Sequence, residues 1–357
     1  MTTPGAAVGG RVFHTLDALR GLAAIGVVML HLGDWFAPVA VPGGYLAVDL
    51  FFLMSGVVLS YAYEARFRAG MGTYGFMRAR LIRLYPLYFV GTLLGIAVGL
   101  ASLLGRNALG WDTPGLIQAS ALALLFVPMF SRGPVDQLFP LNTPSWSLFF
   151  ELLVNLLFVL FWPLLSSRRL AALALLTAGV VGGAAAHAGD LDQGSTAASF
   201  AIGLARTSFG FIVGVLIARH GLSAHHRVST PQVLVLVSVV GVAVLGQPTG
   251  AARALWDAVF VLLVFPLVVL AATRVDPGPR LQRLASFLGL TSYAVYVLHS
   301  PFSSVLNSVT RRFGGAAPFT GIVALVVLLL FAWLLDRLVD IPVRRHLNRL
   351  IPLRSRR

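Results

Sequence analysis

Long apolar runs separated by short, arginine-bearing segments fill the chain from residue 16 to residue 338. Ten of these runs stand out, at 16–36, 45–63, 84–104, 145–165, 170–187, 200–218, 231–246, 254–273, 285–305 and 318–338. A helix of about 20 apolar residues matches a hydrocarbon core about 30 Å thick. Soluble amphipathic helices would instead show a polar face recurring with the helical period. The pattern predicts an all-α, polytopic integral membrane bundle with about ten transmembrane helices. An eleventh apolar stretch, Leu116 to Phe130, is short and carries Pro128 near its end.

Composition sharpens this picture. Of 357 residues, 57% are hydrophobic and 11% charged, with a mean hydropathy of +0.85. Soluble domains carry about 25% charged residues. The chain has no cysteine, which excludes thiolate nucleophiles, disulfides and cysteine-ligated metals. The net charge of +14 comes from arginine alone among the basic residues. Those arginines are spread between the apolar runs and do not gather on one soluble face, so they argue for membrane topology and against nucleic acid. The first apolar run holds charged residues and lacks a small-residue cleavage signal, so it reads as a retained helix.

Arginine placement sets the expected topology. If Leu116–Phe130 does not cross, one side holds Arg11, Arg66, Arg68, Arg78, Arg80, Arg83, Arg168, Arg169, Arg219, Arg227, Arg274, Arg280, Arg283 and the tail from Arg337. The other side keeps Arg106, Arg132, Arg253, Arg311 and Arg312. Both termini are then cytoplasmic, and 105–144 is one outer segment with a re-entrant or surface-lying piece. The expected organisation is a short N-terminus over 1–15, a transmembrane domain over 16–342 and a basic tail over 343–357.

Ionisable residues inside spanning helices are expensive and mark function or a structural pair. Arg20 and His31 are eleven residues apart, within about 20° on one helical face and about 16 Å apart along the axis. Both are expected to face one cavity, with Asp17 one turn from Arg20 and Asp34 one turn beyond His31, placed to orient the imidazole. Asp49, Glu151 and His299 fall at a depth similar to His31. At the other end, Arg78, Arg80 and Arg83 lead into Leu84-Tyr85-Pro86-Leu87-Tyr88, a basic, aromatic mouth suited to a phosphate-bearing ligand. Cations at one end and acid–base groups at the other suit a reaction across the membrane or proton-coupled transport.

Five blocks in order resemble the membrane acyltransferase 3 family. They are Leu16-Asp17-Ala18-Leu19-Arg20-Gly21 with His31; Val48-Asp49-Leu50-Phe51-Phe52; Arg80-Leu81-Ile82-Arg83-Leu84-Tyr85-Pro86; Pro144-Ser145-Trp146-Ser147-Leu148-Phe149-Phe150-Glu151; and Tyr293-Ala294-Val295-Tyr296-Val297-Leu298-His299. Leu152 stands where members often carry a second Glu, and Asp340 where a Glu is often seen. The esterase-like domain fused to some members has no counterpart in these residues.

The resemblance implies O-acylation in a bacterial cytoplasmic membrane. The donor would be cytoplasmic acyl-coenzyme A, often acetyl, used as a co-substrate with no further cofactor. The acceptor would be a carbohydrate, glycolipid or cell-surface polysaccharide. On this reading Arg20, Arg80, Arg83 and Tyr85 bind the donor, and His31 is the general base. Glu151 or Asp49 would hold its imidazole, with Asp17, Asp34, Trp146, Ser147, Tyr296 and His299 in support. A proton-coupled transporter is the rival reading, since such proteins also carry intramembrane Asp, Glu, His and Arg; a polysaccharide or lipid exporter is a third. His225 and His226 have no neighbouring carboxylate, so no metal site is expected.

Overall fold

The computed structural model describes residues 12–105, 109–130, 134–222, 227–246, 248–313 and 316–350. Arg11, Arg106, Arg132, His225, His226 and residues 351–357 lie outside these, as do the side chains of Arg311 and Arg312. The helices are α1 (His14–His31), α2 (Gly33–Phe36), α3 (Ala47–Arg68), α4 (Thr73–Leu104), α5 (Thr113–Leu124), α6 (Ser145–Leu160), α7 (Ser167–Ala188), α8 (Phe200–Leu216), α9 (Thr230–Leu245), α10 (Ala251–Val259), α11 (Phe265–Ala272), α12 (Pro279–Phe313), α13 (Phe319–Leu335) and α14 (Ile341–Leu350). Two short strands, β1 (Arg227–Val228) and β2 (Val275–Asp276), pair in parallel.

Six helical stretches among the described residues are long and apolar enough to cross a membrane: 44–68, 73–104, 167–188, 200–221, 251–272 and 319–350. The apolar helices α6 and α9 are shorter. α1 and α12 fall where crossings are expected but are not among the six. Leu175, Leu176, Leu255, Leu267, Ile322 and Leu330 are exposed on the outside of the bundle, an apolar surface suited to lipid.

Small residues allow the helices to approach closely, as expected where lipid removes the hydrophobic drive between them. On α3 and α8 a Cβ at Gly56 or Gly214 would overlap the Phe211 or Leu53 carbonyl, and one at Gly210 would press on Phe52. α1 crosses α12 in the same way, with Gly21 against Leu288 and Gly289 against Asp17. The α1–α12 contact is the backbone of the site described below.

α5 does not cross. Its twelve residues span about 18 Å. Asp112 caps it by accepting from Gly115 N at 3.0 Å, and the helix runs down α4. Leu116 meets Gly99 at its start, and the Ala123 and Leu124 carbonyls accept from Tyr88 and Tyr85 at its end. Phe126, in the left-handed region at φ 58°, reverses the chain with its ring 4.0 Å from that of Tyr88. The return strand passes Gly95 at Leu141 and Gly91 at Asn142. Among the described residues, 113–130 and 134–142 thus run along α4 and return beside it, with Phe126, Met129, Leu138 and Leu141 buried and Leu125, Val127 and Phe130 exposed.

Candidate functional site

α4, 32 residues long and about 48 Å, carries Arg80 and Arg83 on the face turned to α1, α3, α6 and α12. Between these helices lies a cavity of about 640 Å³. Five arginines line it: Arg20, Arg80 and Arg83, together with Arg337 and Arg344 from the end of α13 and from α14. Asp17 and Glu151 are the lining carboxylates. His14 and Asn348 stand at the arginine-rich end, and Ser147 and Tyr296 line the cavity further along.

The charges are partly paired. Arg80 donates to Glu151 at 2.5 Å, and Ser55 Oγ donates to the same carboxylate oxygen at 2.6 Å. Arg83 lies 3.6 Å from Asp340 and 5.3 Å from the Tyr293 ring centre. Asp340, fully buried, also accepts from Arg344 at 2.8 Å. Two guanidinium groups thus share one carboxylate. This leaves positive charge in a walled cavity, the arrangement that favours a phosphate-bearing ligand.

At the far end of α1, His31 is exposed and its Nδ1 lies 2.8 Å from the Val27 carbonyl. A carbonyl only accepts, so Nδ1 carries the proton and Nε2 is bare in the neutral ring. The His299 ring packs beside it, centres 4.9 Å apart. His299 is buried one turn beyond Tyr296, whose hydroxyl meets Ser147 Oγ at 2.6 Å on the cavity wall. Tyr296, His299 and His31 therefore run in sequence from the cavity to the outside.

Several expectations give way to a different geometry. Arg20 faces the cavity, but His31 is not among its lining residues, because Tyr296 and His299 stand between. The expected carboxylate at the imidazole is replaced by the Val27 carbonyl. Glu151 is taken by Arg80, and Asp49 by Arg206 with contacts of 2.5 and 3.2 Å. Asp34 is exposed on α2, since the helix breaks at Leu32 and the one-turn spacing from His31 is lost. Asp17 packs on Gly289 of α12. Tyr85 lies two residues, about 200° of helical turn, past Arg83 and so faces α5, where its hydroxyl donates to Leu124 O at 2.6 Å. Trp146 stacks on Arg206 at 5.8 Å.

Arg206, an arginine inside the apolar run 200–218, carries its own signal in the sequence but stands outside the expected site. Arg337 and Arg344 are expected as tail charge, yet both line the cavity. Residues 336–350 continue the helix past α13 and pack against α4, a contact that no spacing rule marks.

The chain matches the acyltransferase domain family over residues 13–337 and belongs to that family. It is an O-acyltransferase and a multi-pass membrane protein. It is 37% identical over 183 residues to Protein 2 in picA locus of Rhizobium radiobacter, covering 47% of this chain and 92% of that one. It is 34% identical over 162 residues to Acyltransferase MdmB of Streptomyces mycarofaciens, covering 42% of this chain and 39% of that one. No solved structure matches.

Proposed function

We propose that the protein moves an acyl group, acetyl in the first instance, from cytoplasmic acyl-coenzyme A to a hydroxyl of a carbohydrate, glycolipid or cell-surface polysaccharide outside. The setting is a bacterial cytoplasmic membrane crossed about ten times, with both termini cytoplasmic. One observation carries the reading: a single bundle holds an arginine-lined cavity at one end and an exposed imidazole with a bare Nε2 at the other. α12 links the two through Tyr296 and His299.

Arg20, Arg83 and Arg344 take the donor phosphates, and Glu151 holds Arg80 in place through the shared contact with Ser55. The thioester reaches the Tyr296 end of the cavity, and transfer requires Tyr296 and His299, which stand between that end and His31, to move aside. His31 Nε2 takes the acceptor's hydroxyl proton, the oxygen bonds to the acyl carbon, and the carbon–sulfur bond breaks to release coenzyme A thiolate, which is protonated from solvent. Asp49 holds Arg206, and through it Trp146, and does not touch the imidazole.

The test is acyl transfer and thiol release by the purified protein in membranes. His31→Ala should insert normally and bind donor, with transfer down roughly 10²–10⁴-fold. His31→Gln should not restore it, because an amide cannot take the proton. A folded His31→Ala protein with near-normal transfer overturns the assignment. Failure of the wild-type protein to release thiol from acyl-coenzyme A would move the bundle to the transporter reading.

A further inference from the structure

α14 walls the arginine-lined cavity, yet little inside the protein holds it there. Arg344 and Asn348 line that cavity, as Arg337 does just before the helix. None of the ten residues of α14 is buried; Ile341, Arg344 and Leu347 are half-buried where it packs on α4. Arg344 pairs with Asp340 at 2.8 Å, but that carboxylate belongs to the same helical stretch, and it is Asp340 that meets Arg83 of α4. Past Asp340 no buried apolar side chain pins the helix, the condition for easy local opening. The opposite side of α14 has its own character. Pro342, Val343, Arg345, His346, Arg349 and Leu350 point about 100–160° away from Arg344, and all are exposed. Residues 341–357 contain no Asp or Glu. From Phe319 to Ile341 the continuous helical stretch rises about 33 Å, so α14 begins where a hydrocarbon core about 30 Å thick ends. Arg345 then stands in the headgroup layer, and Arg349 within about one Debye length of it.

We propose that the exposed side of α14 binds anionic phospholipid headgroups of the cytoplasmic leaflet, and that this contact keeps Arg344 and Asn348 on the cavity wall, so that donor affinity follows the charge of the bilayer. The coupling rests on the cavity being the donor site; the lipid contact does not. Charge and polarity together choose the occupant. Arg345 and Arg349 offer guanidinium forks to phosphate, while Val343 and Leu350 beside them are exposed apolar side chains suited to the boundary below the headgroups. A soluble anion satisfies only the first pair. The bilayer thereby supplies from outside the hold that the protein core does not give this wall.

The chain has no cysteine, so His346→Cys carries a single fluorophore on the outward side of α14. The full chain is placed in bilayers of phosphatidylcholine, alone or mixed with phosphatidylglycerol, each with a trace of lipid bearing a nitroxide on its headgroup. Label quenching reports the lipid contact, and thiol release by the unlabelled protein gives donor KM. We expect phosphatidylglycerol to raise quenching and lower donor KM. One basic side chain near an anionic surface strengthens the contact about fivefold. Arg345→Gln with Arg349→Gln should therefore raise donor KM in the mixed bilayer by roughly 3–30-fold, with turnover at saturating donor unchanged. In phosphatidylcholine alone, variant and wild type should match. Glycerol phosphate added to phosphatidylcholine bilayers should change neither reading. Equal quenching in the two bilayers would overturn the lipid contact, and glycerol phosphate acting as well as the lipid would replace it with a free-anion site. Raised quenching with unchanged donor KM would overturn the coupling. Raised quenching in a protein that releases no thiol in either bilayer would overturn the donor reading and the coupling, and uphold the contact.

Discussion

Asp49 offers the sharpest separation of a structural carboxylate from a catalytic one. Its side chain is 2% exposed and that of Arg206 is 1% exposed, with Oδ2 2.5 Å from a terminal guanidinium nitrogen. Arg206 Nε meets Oδ1 at 3.2 Å, and the remaining donors reach the Gln193 and Tyr45 carbonyls at 2.5 and 3.4 Å. Asp49→Ala would strip the bonded carboxylate from a guanidinium that is almost fully buried. Breaking a buried pair from one side costs about 3–5 kcal/mol, a rise of roughly 10²–10³·⁵ in the unfolded-to-folded ratio. Replacing both partners with apolar residues of similar volume, as in Asp49→Leu with Arg206→Met, removes the unpaired charge and should restore most of that stability. The assay is unfolding in detergent for both single variants and the double, with thiol release measured on whatever remains folded. A double variant that regains both stability and transfer makes the pair a structural staple. An Asp49→Ala protein as stable as the wild type would refute the burial argument. A stable but inactive double variant would return Asp49 to the catalytic set.

Further outcomes follow from the same structure. Arg83→Ala and Arg344→Ala should each weaken donor binding more than acceptor binding, read as donor KM, with Lys rescuing only in part because it lacks the planar fork; unchanged donor KM in both would refute the shared-carboxylate cavity. Reporter fusions after Gly189 and after Arg227 should report outside and inside, respectively, and a cytoplasmic 188–199 would sink the ten-crossing topology. Gly214→Val should press on the Leu53 carbonyl and the Gly56 Cα and cost about 1–3 kcal/mol, seen as a lower unfolding midpoint; no shift would refute the close α3–α8 crossing.

Hydropathy marks the helices whose apolar runs are long and carry few charges, α3, α4, α7, α8, α10 with α11, and α13. It marks α1 and α12 less directly. Both are diluted, by Asp17, Arg20 and His31 on one and by Ser292, Tyr296 and His299 on the other, so their runs at 16–36 and 285–305 are weaker, and the order of short motifs reinforces them. Residue depth was also legible, since rise per residue fixes it: Arg20 lies at one end of α1 and His31 at the other. Pairing was not legible. Glu151 and Asp49 are each claimed by an arginine on another helix, and Glu151 meets Arg80 and Ser55 in the arginine-lined cavity instead of lying level with the imidazole; which faces meet is decided by glycine contacts such as Gly56–Phe211. Helix breaks were hidden too, as at Leu32, where one residue removes Asp34 from the face of His31.

The partnership between α1 and α12 joins helices far apart along the chain. Gly21 and Asp17 pack on Leu288 and Gly289, roughly 270 residues later, and a ribosome adding 5–20 residues per second takes about 13 to 55 s to cover that distance. Through that interval α1, which is not among the helices apolar enough to qualify as crossings by composition, carries Asp17 and Arg20 without the surface they are built to meet. The cavity is therefore complete only after α12 and the helical stretch carrying Arg337 and Arg344 have been made.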